Sequence, residues 1–346
     1  ILSGLVGSEM CIRDSLYIIY KNRLNVGHGS VIYLGGFMKI ATFTSPSGFR
    51  QWGVIDEESQ TILGSADLEE AYFSFLPETI EELINLGDEG VLLLASALEK
   101  HNETPVAVPY NLSDVTIETP FSPHRNIICV GKNYREHIVE FDKTADEPEF
   151  PIFFSKLPTA VTGPNRVIPL HPNATSQVDY EGELAIIIGK RASNIPEDEV
   201  YDHIFGYTII NDVTARDLQK RHNQWFLGKS LDGFCPMGPA ILIGNKQPQN
   251  FEIRTYINNE LRQSGSTEDL IFSIPTLVST LSRGITLEPG DIIATGTPSG
   301  VGMGFEPPRF LQEDDLVTIT VPGIGTLENT VKRSAPVTEI EDYENF

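Results

Sequence analysis

Short runs of alternating apolar and polar residues open at Met38 and continue to about residue 66, broken at 45–48 and again at 56–59. Successive side chains of a strand face opposite ways, and both breaks are rich in turn-forming residues, so this stretch predicts a β-meander. Between residues 77 and 100 the period changes. Pro77, an apolar stripe of Ile80, Leu83 and Ile84, and a break at Gly87 predict two helices. A loop rich in Pro, Asn and Ser runs from about Thr104 to Pro123, and a domain boundary is expected there. Beyond Asn126 the apolar runs are short and β-branched, at 127–130, 184–188, 207–210, 240–243, 253–257 and 292–294, and predict strands. Asn258-Asn259 reads as a two-residue hairpin turn, and 317–321 with 326–331 as a closing hairpin. Two helices, at 213–222 and 274–282, interrupt the strands. Strand and helix do not alternate regularly, which disfavours a Rossmann or TIM architecture.

The stretch before Met38 keeps no period. Its apolar run at 16–20 is too short for a signal-peptide core, and no small-residue cleavage site follows. Residues 8–15 resemble translated sequencing-adapter read-through, and residues 1–37 are expected to be a non-native or disordered extension. The rest divides into a small N-terminal domain (38–120), a metal-binding catalytic domain (121–335) and a tail (336–346).

Composition narrows the function classes. A hydrophobic share of 40% and a charged share of 21% suit a globular chain with a packed core. The net charge of −23 repels phosphate backbones and anionic bilayers, so neither nucleic acid nor membrane is expected as a partner. No apolar run reaches the length of a membrane span. The three cysteines, Cys11, Cys129 and Cys235, are too far apart for a disulfide framework or a metal-ligand pattern, and point to a reducing, cytoplasmic setting. So acidic a chain can hold an anionic substrate only through a local positive feature, such as a metal ion or a few placed Lys and Arg residues.

Five segments carry candidate chemistry. In Asp179-Tyr180-Glu181-Gly182-Glu183, period-two geometry puts three carboxylates on one face at the mouth of a buried strand. Their repulsion calls for a cation, and hard divalent ions prefer oxygen ligands; a solvated acidic strand end is the rival reading. Asp212 ends the buried-looking strand 207–212, where it suits either a ligand or a helix N-cap. Lys229 follows Gly228 among apolar neighbours and suits a point charge for a substrate carboxylate or enolate, or else a surface lysine. His137 and Glu140 are three residues apart, as in a carboxylate-oriented general base or an ordinary surface pair. The glycine-rich run 295–304 lacks the G-x-G-x-x-G spacing of a dinucleotide loop, yet its backbone can approach a ligand closely, with the Thr297 hydroxyl at hand.

Taken together and in order, Val130-Gly131-Lys132-Asn133-Tyr134 with His137 and Glu140, Asp179 to Glu183, Asn211 to Asp217, Gly228 to Asp232, Phe272 to Pro275 and Thr295 to Gly300 resemble the fumarylacetoacetate hydrolase family over roughly residues 121–333. The resemblance implies an α+β fold, a β-rich mixed-strand roll behind a small N-terminal α/β domain, and a homodimer. It implies Mg²⁺ or Mn²⁺, with Ca²⁺ as a third oxygen-seeking ion, on Glu181, Glu183 and Asp212. It puts His137, Glu140 and Lys229 at catalytic positions, and Arg216, Gln219 and Thr297 at positions that contact substrate. Asp179 stands where His or Asn is common, as in the branch that resembles ureidoglycolate lyases and homoprotocatechuate-pathway isomerases.

The expected activity is metal-dependent action on a small anionic 2-oxo or β-diketo acid: C–C hydrolysis of the acylpyruvate type, or decarboxylation. The second reading is isomerisation or hydration of a dienedioate, or ureidoglycolate lyase action, at the same site. A non-catalytic binding module is disfavoured because the whole set of site residues is present. The charged segment 134–150 is expected to be a mobile lid carrying His137.

Overall fold

The computed structural model describes residues 37–141, 143–244 and 250–333. The expectations for the extension before Met38 and for the tail fall outside these residues, except at Phe37. The fold is α+β, with most of its strands in two sheets.

The predicted meander forms as Met38–Thr44, Arg50–Asp56 and Thr61–Gly64. Its first strand pairs antiparallel with Cys235–Ile243, so the meander extends the sheet that carries the site. Across that sheet the order continues through Ile204–Asn211, Gly182–Ile188, Ile292–Ala294, Ile127–Gly131 and Ile152–Lys156. Ile292–Ala294 and Ile127–Gly131 run parallel and most of the other neighbours antiparallel, giving the mixed character. Every residue of Gly182–Ile188 is buried, because both sheet faces are covered, which explains a continuous apolar run where a half-exposed strand would alternate. Leu184, Ile186 and Ile188 join one core cluster with Ile253, Val317 and Ile319 of the five-stranded second sheet. Asn258 and Asn259 both take positive φ, as a tight hairpin turn requires.

Ile274–Ser282 is helical as expected, capped by the Ser273 hydroxyl, which accepts the Thr276 N–H at 3.3 Å, with Leu277, Val278 and Leu281 buried. Gly87 ends the Ile80–Leu86 helix and precedes Asp88–Glu103. A further helix, Ser65–Tyr72, has no clear sequence signal. The helix expected at 213–222 starts later. Thr214–Ala215 is a short strand bonded to Val178–Asp179, and the helix is Arg216–Arg221. Tertiary pairing overrides local propensity there. Asp212 therefore does not cap that helix; its flanking residue is Ala215, with no side-chain cap.

Candidate metal centre and active site

Antiparallel register builds the centre. Gly182 lies opposite Asn211 and Glu183 opposite Ile210, so continuing one step puts Glu181 across from Asp212. Two hydrogen bonds lock this step: Asp212 N–H donates to the Glu181 carbonyl at 2.8 Å, and Glu181 N–H donates to Asn211 Oδ1 at 3.0 Å. Carboxylate oxygens of Glu181, Glu183 and Asp212, all three residues buried, then lie within 4.8 Å of one another. On the other edge the Gly296 N–H donates to Glu183 Oε2 at 2.8 Å.

Asp179 does not join them. It belongs to a separate two-residue strand, and its carboxylate accepts Arg216 Nε at 2.8 Å together with the N–H groups of Gly302 and Met303. The single carboxylate face expected for 179–183 is thus broken between Asp179 and Gly182, where the chain passes from one sheet to another.

Three buried cations thread the cluster. Lys229, 1% exposed rather than on the surface, lies 2.7 Å from Glu181 Oε2 and 2.6 Å from Asp212 Oδ2. Lys156 reaches Asp212 Oδ1 at 2.7 Å, and Arg216 reaches Glu181 Oε1 at 2.7 Å. Burial alone would raise the Glu181 carboxyl, but Lys229 and then Arg216 hold it below the usual carboxylate range. Burial would lower Lys229, yet Asp212 and Glu181 hold it above its ordinary value, so its ammonium stays charged. Glu183 fares differently. Burial, then repulsion from Asp212 and Glu181, pushes its carboxyl well above the ordinary value. Four buried carboxylates face three buried cations, and the excess negative charge falls on Glu183. A divalent cation fits this place: three converging hard oxygen donors, one of them lacking an ion-pair partner among the described residues.

A cavity of about 540 Å³ opens over the carboxylates. Seven of the nine expected site residues line it: His137, Glu181, Glu183, Arg216, Gln219, Lys229 and Thr297. Asp212 and Glu140 stand behind the wall, holding Lys229 and His137. His137 is on the short helix Arg135–Val139, with Nδ1 2.7 Å from Glu140 Oε1 and Phe141 edge-on to its ring. The segment expected as a lid is anchored at this end, since Tyr134, His137 and Ile138 are buried. Thr297 donates to the Gly182 carbonyl at 2.9 Å and accepts from Gln263 Nε2, leaving it a lone pair for any ligand. Gln219 accepts from Arg216 at 3.3 Å. Phe154 and Trp225 supply an apolar wall.

Sequence reasoning missed Lys156 and Gln263, and it quoted Asn211 in a motif without giving it a role. Lys156 ends the strand 152–156, separated by one residue from the apolar run 152–154, and a charge closing such a strand was the available signal.

The family model for the Fumarylacetoacetate (FAA) hydrolase C-terminal domain matches residues 126–332. The chain belongs to the fumarylacetoacetate hydrolase family. It is 49% identical over 284 residues to the oxaloacetate tautomerase YisK of Bacillus subtilis (strain 168), a match covering 80% of this chain and 94% of that protein. Among solved structures of the family it is similar to a fumarylacetoacetate hydrolase from Exiguobacterium antarcticum, with a TM-score of 0.71, 42% identity, and coverage of 86% of this chain and 100% of that one. It is also similar to a 2-hydroxyhepta-2,4-diene-1,7-dioate isomerase from Mycobacterium marinum, with a TM-score of 0.65, 34% identity, and coverage of 86% and 99%. Homologues in the family are thus enzymes that include a hydrolase, an isomerase and a tautomerase. No helix among the described residues is long and apolar enough to cross a membrane.

Proposed function

We propose that this chain is a metal-dependent tautomerase or isomerase that moves a proton between carbon and oxygen in a small 2-oxo dicarboxylate, with oxaloacetate as its substrate. The observation that carries this reading is the 49% identity, over nearly the whole of that relative, to an oxaloacetate tautomerase. The similarity to a protein named as a dienedioate isomerase supports an isomerase-type reaction alongside it.

The site's chemistry is consistent with this assignment. Glu181, Glu183 and Asp212 would hold Mg²⁺ or Mn²⁺, which would supply Lewis acidity toward the oxygens of a 2-oxo acid. Arg216 lines the cavity, and its Nη2 is buried without a hydrogen-bond partner among the described residues, so it offers a donor to a substrate carboxylate. Lys229 is held firmly protonated and serves as a fixed positive charge beside a developing enolate oxygen rather than as a proton donor. With Nδ1–H donated to Glu140, the His137 Nε2 lone pair takes the proton from carbon on enolisation and releases it to solvent, and in the reverse direction Nε2 delivers a solvent-derived proton to carbon. The oxygen's proton exchanges with solvent entering the cavity. Phe154 and Trp225 limit water beside the carbanion. The same reading retains the homodimer, which sedimentation at micromolar concentration would reveal.

The test is a substrate panel with Mg²⁺- or Mn²⁺-loaded protein, following oxaloacetate enol absorbance, diene absorbance and pyruvate release in parallel. Faster loss of enol without added pyruvate supports the proposal. Pyruvate formed at the same rate as substrate loss would return the assignment to hydrolysis or decarboxylation.

A further inference from the structure

Asp179 and the glycine run after Thr297 lie outside the roles assigned so far, and they meet. Asp179 is fully buried and accepts four hydrogen bonds. Oδ1 takes the N–H of Tyr180 at 3.0 Å and of Gly302 at 2.7 Å; Oδ2 takes Arg216 Nε at 2.8 Å and the N–H of Met303 at 2.9 Å. Every link leads to the site. Arg216 grips Glu181 Oε1 through Nη1. The loop pinned by the Gly302 and Met303 amides presents the Gly300 N–H to Glu140 Oε2 at 2.8 Å, while Glu140 Oε1 meets His137 Nδ1. Tyr180, next to Asp179, ties the same loop by donating its hydroxyl to the Gly300 carbonyl at 2.9 Å. The contacts leave no slack. A Cβ on Gly302 would come 2.6 Å from Asp179 Oδ1, and one on Gly304 would come 2.6 Å from Glu140 Oε2.

We propose that Asp179 is a positioning residue that couples the two halves of the site, holding Glu181 through Arg216 and holding His137 through the 300–304 loop and Glu140. The proposal rests on the reading of His137 as the proton carrier. A carboxylate is needed because all four partners are donors. An amide in its place would turn a donor toward two of them in either orientation, leaving two buried N–H groups without an acceptor. Outer partners of this kind typically contribute about 10–100-fold to metal affinity or activity. Glycine at 304 is explained by the same contact: a larger residue would push Glu140 off the histidine.

The experiment compares wild type, Asp179→Asn and Gly304→Ala in two measurements that need no substrate. One is the hydrogen-bonded Nδ1–H resonance of His137 in histidine-labelled protein. The other is Mn²⁺ affinity by calorimetry. Asp179→Asn is expected to shift or broaden the His137 resonance and to weaken Mn²⁺ about 10-fold through Arg216 and Glu181. Gly304→Ala, which touches neither Asp179 nor Arg216, is expected to move the same resonance and keep Mn²⁺ affinity. If Asp179→Asn abolished Mn²⁺ binding but left the His137 resonance in place, Asp179 would be a ligand and the proposal would fail. An unmoved resonance in Gly304→Ala would overturn it too, even if Asp179→Asn did not fold. Inactivity of the wild type toward oxaloacetate would count against the proposed reaction and leave both measurements standing.

Discussion

Glu183 and Asp212 hold the same place in the proposed metal set but opposite places in the charge balance of the metal-free protein, so replacing them should have opposite effects on stability. Asp212 accepts two buried ammonium groups, Lys156 at 2.7 Å and Lys229 at 2.6 Å. Asp212→Ala leaves Lys156 with one carbonyl, that of Val213, and Lys229 with Glu181. Removing one partner from a buried ion pair typically costs about 3–5 kcal/mol. At about 2.1 cal/mol/K of unfolding entropy per residue, a chain of this length loses roughly 1.4 °C of Tm per kcal/mol, so the drop is about 4–7 °C. Glu183 accepts one backbone N–H and is repelled by Asp212 and Glu181. Glu183→Gln keeps the acceptor and removes the surplus charge, so metal-free Tm should stay level or rise. The pH dependence follows the same logic. A carboxyl raised in the folded state lends its full stability below its unfolded value and loses it as pH rises through the folded value. Metal-free wild type should therefore lose Tm relative to Glu183→Gln as pH increases from the acid side. The assay is differential scanning fluorimetry on chelator-stripped protein across pH, with Mn²⁺ calorimetry showing that both variants lose the ion. Equal destabilisation of both variants without metal would refute the reasoning.

Three further outcomes are expected. His137→Ala should cut turnover about 10²-fold or more while Mn²⁺ affinity by calorimetry stays near wild type, because a positioned general base contributes that much and His137 is not among the candidate metal ligands. Gly182→Ala should destabilise the fold by roughly 1–3 kcal/mol in urea titration, since the new Cβ would come 2.3 Å from Thr255 Oγ1 and 3.1 Å from Ile319 Cγ2. In a Cys11→Ser background the native protein should not react with a thiol-specific dye at pH 8, because Cys129 and Cys235 are buried and burial pushes the Cys235 thiol up to about 12.

Part of this site is legible in the amino-acid sequence. Period-two spacing pairs Glu181 with Glu183, and an Asp closing a neighbouring apolar run supplies Asp212. Alternation along a strand is a local property. Lys156 is hidden because its importance comes from a residue 56 positions away, and a lysine closing an apolar strand reads equally well as a solvated end. Asp179 is misplaced for the opposite reason. Its spacing fits the strand face, but the backbone breaks before Gly182, where the chain leaves one sheet for another. The short strand Thr214–Ala215 exists only because Val178–Asp179 pairs with it, and no helix or strand pattern fits into two residues. The reaction is least legible of all, because relatives in this family carry hydrolase, isomerase and tautomerase names, so the family does not by itself fix the reaction.

The central claim is proton transfer at carbon, and deuterium uptake reads it directly. Oxaloacetate incubated in D₂O with Mg²⁺-loaded protein should exchange its C3 protons faster than in the same Mg²⁺ buffer alone, and pyruvate should not appear above that control. His137→Ala should bring exchange back toward the buffer rate. Exchange no faster than the control, or pyruvate accumulating as oxaloacetate disappears, would contradict the account.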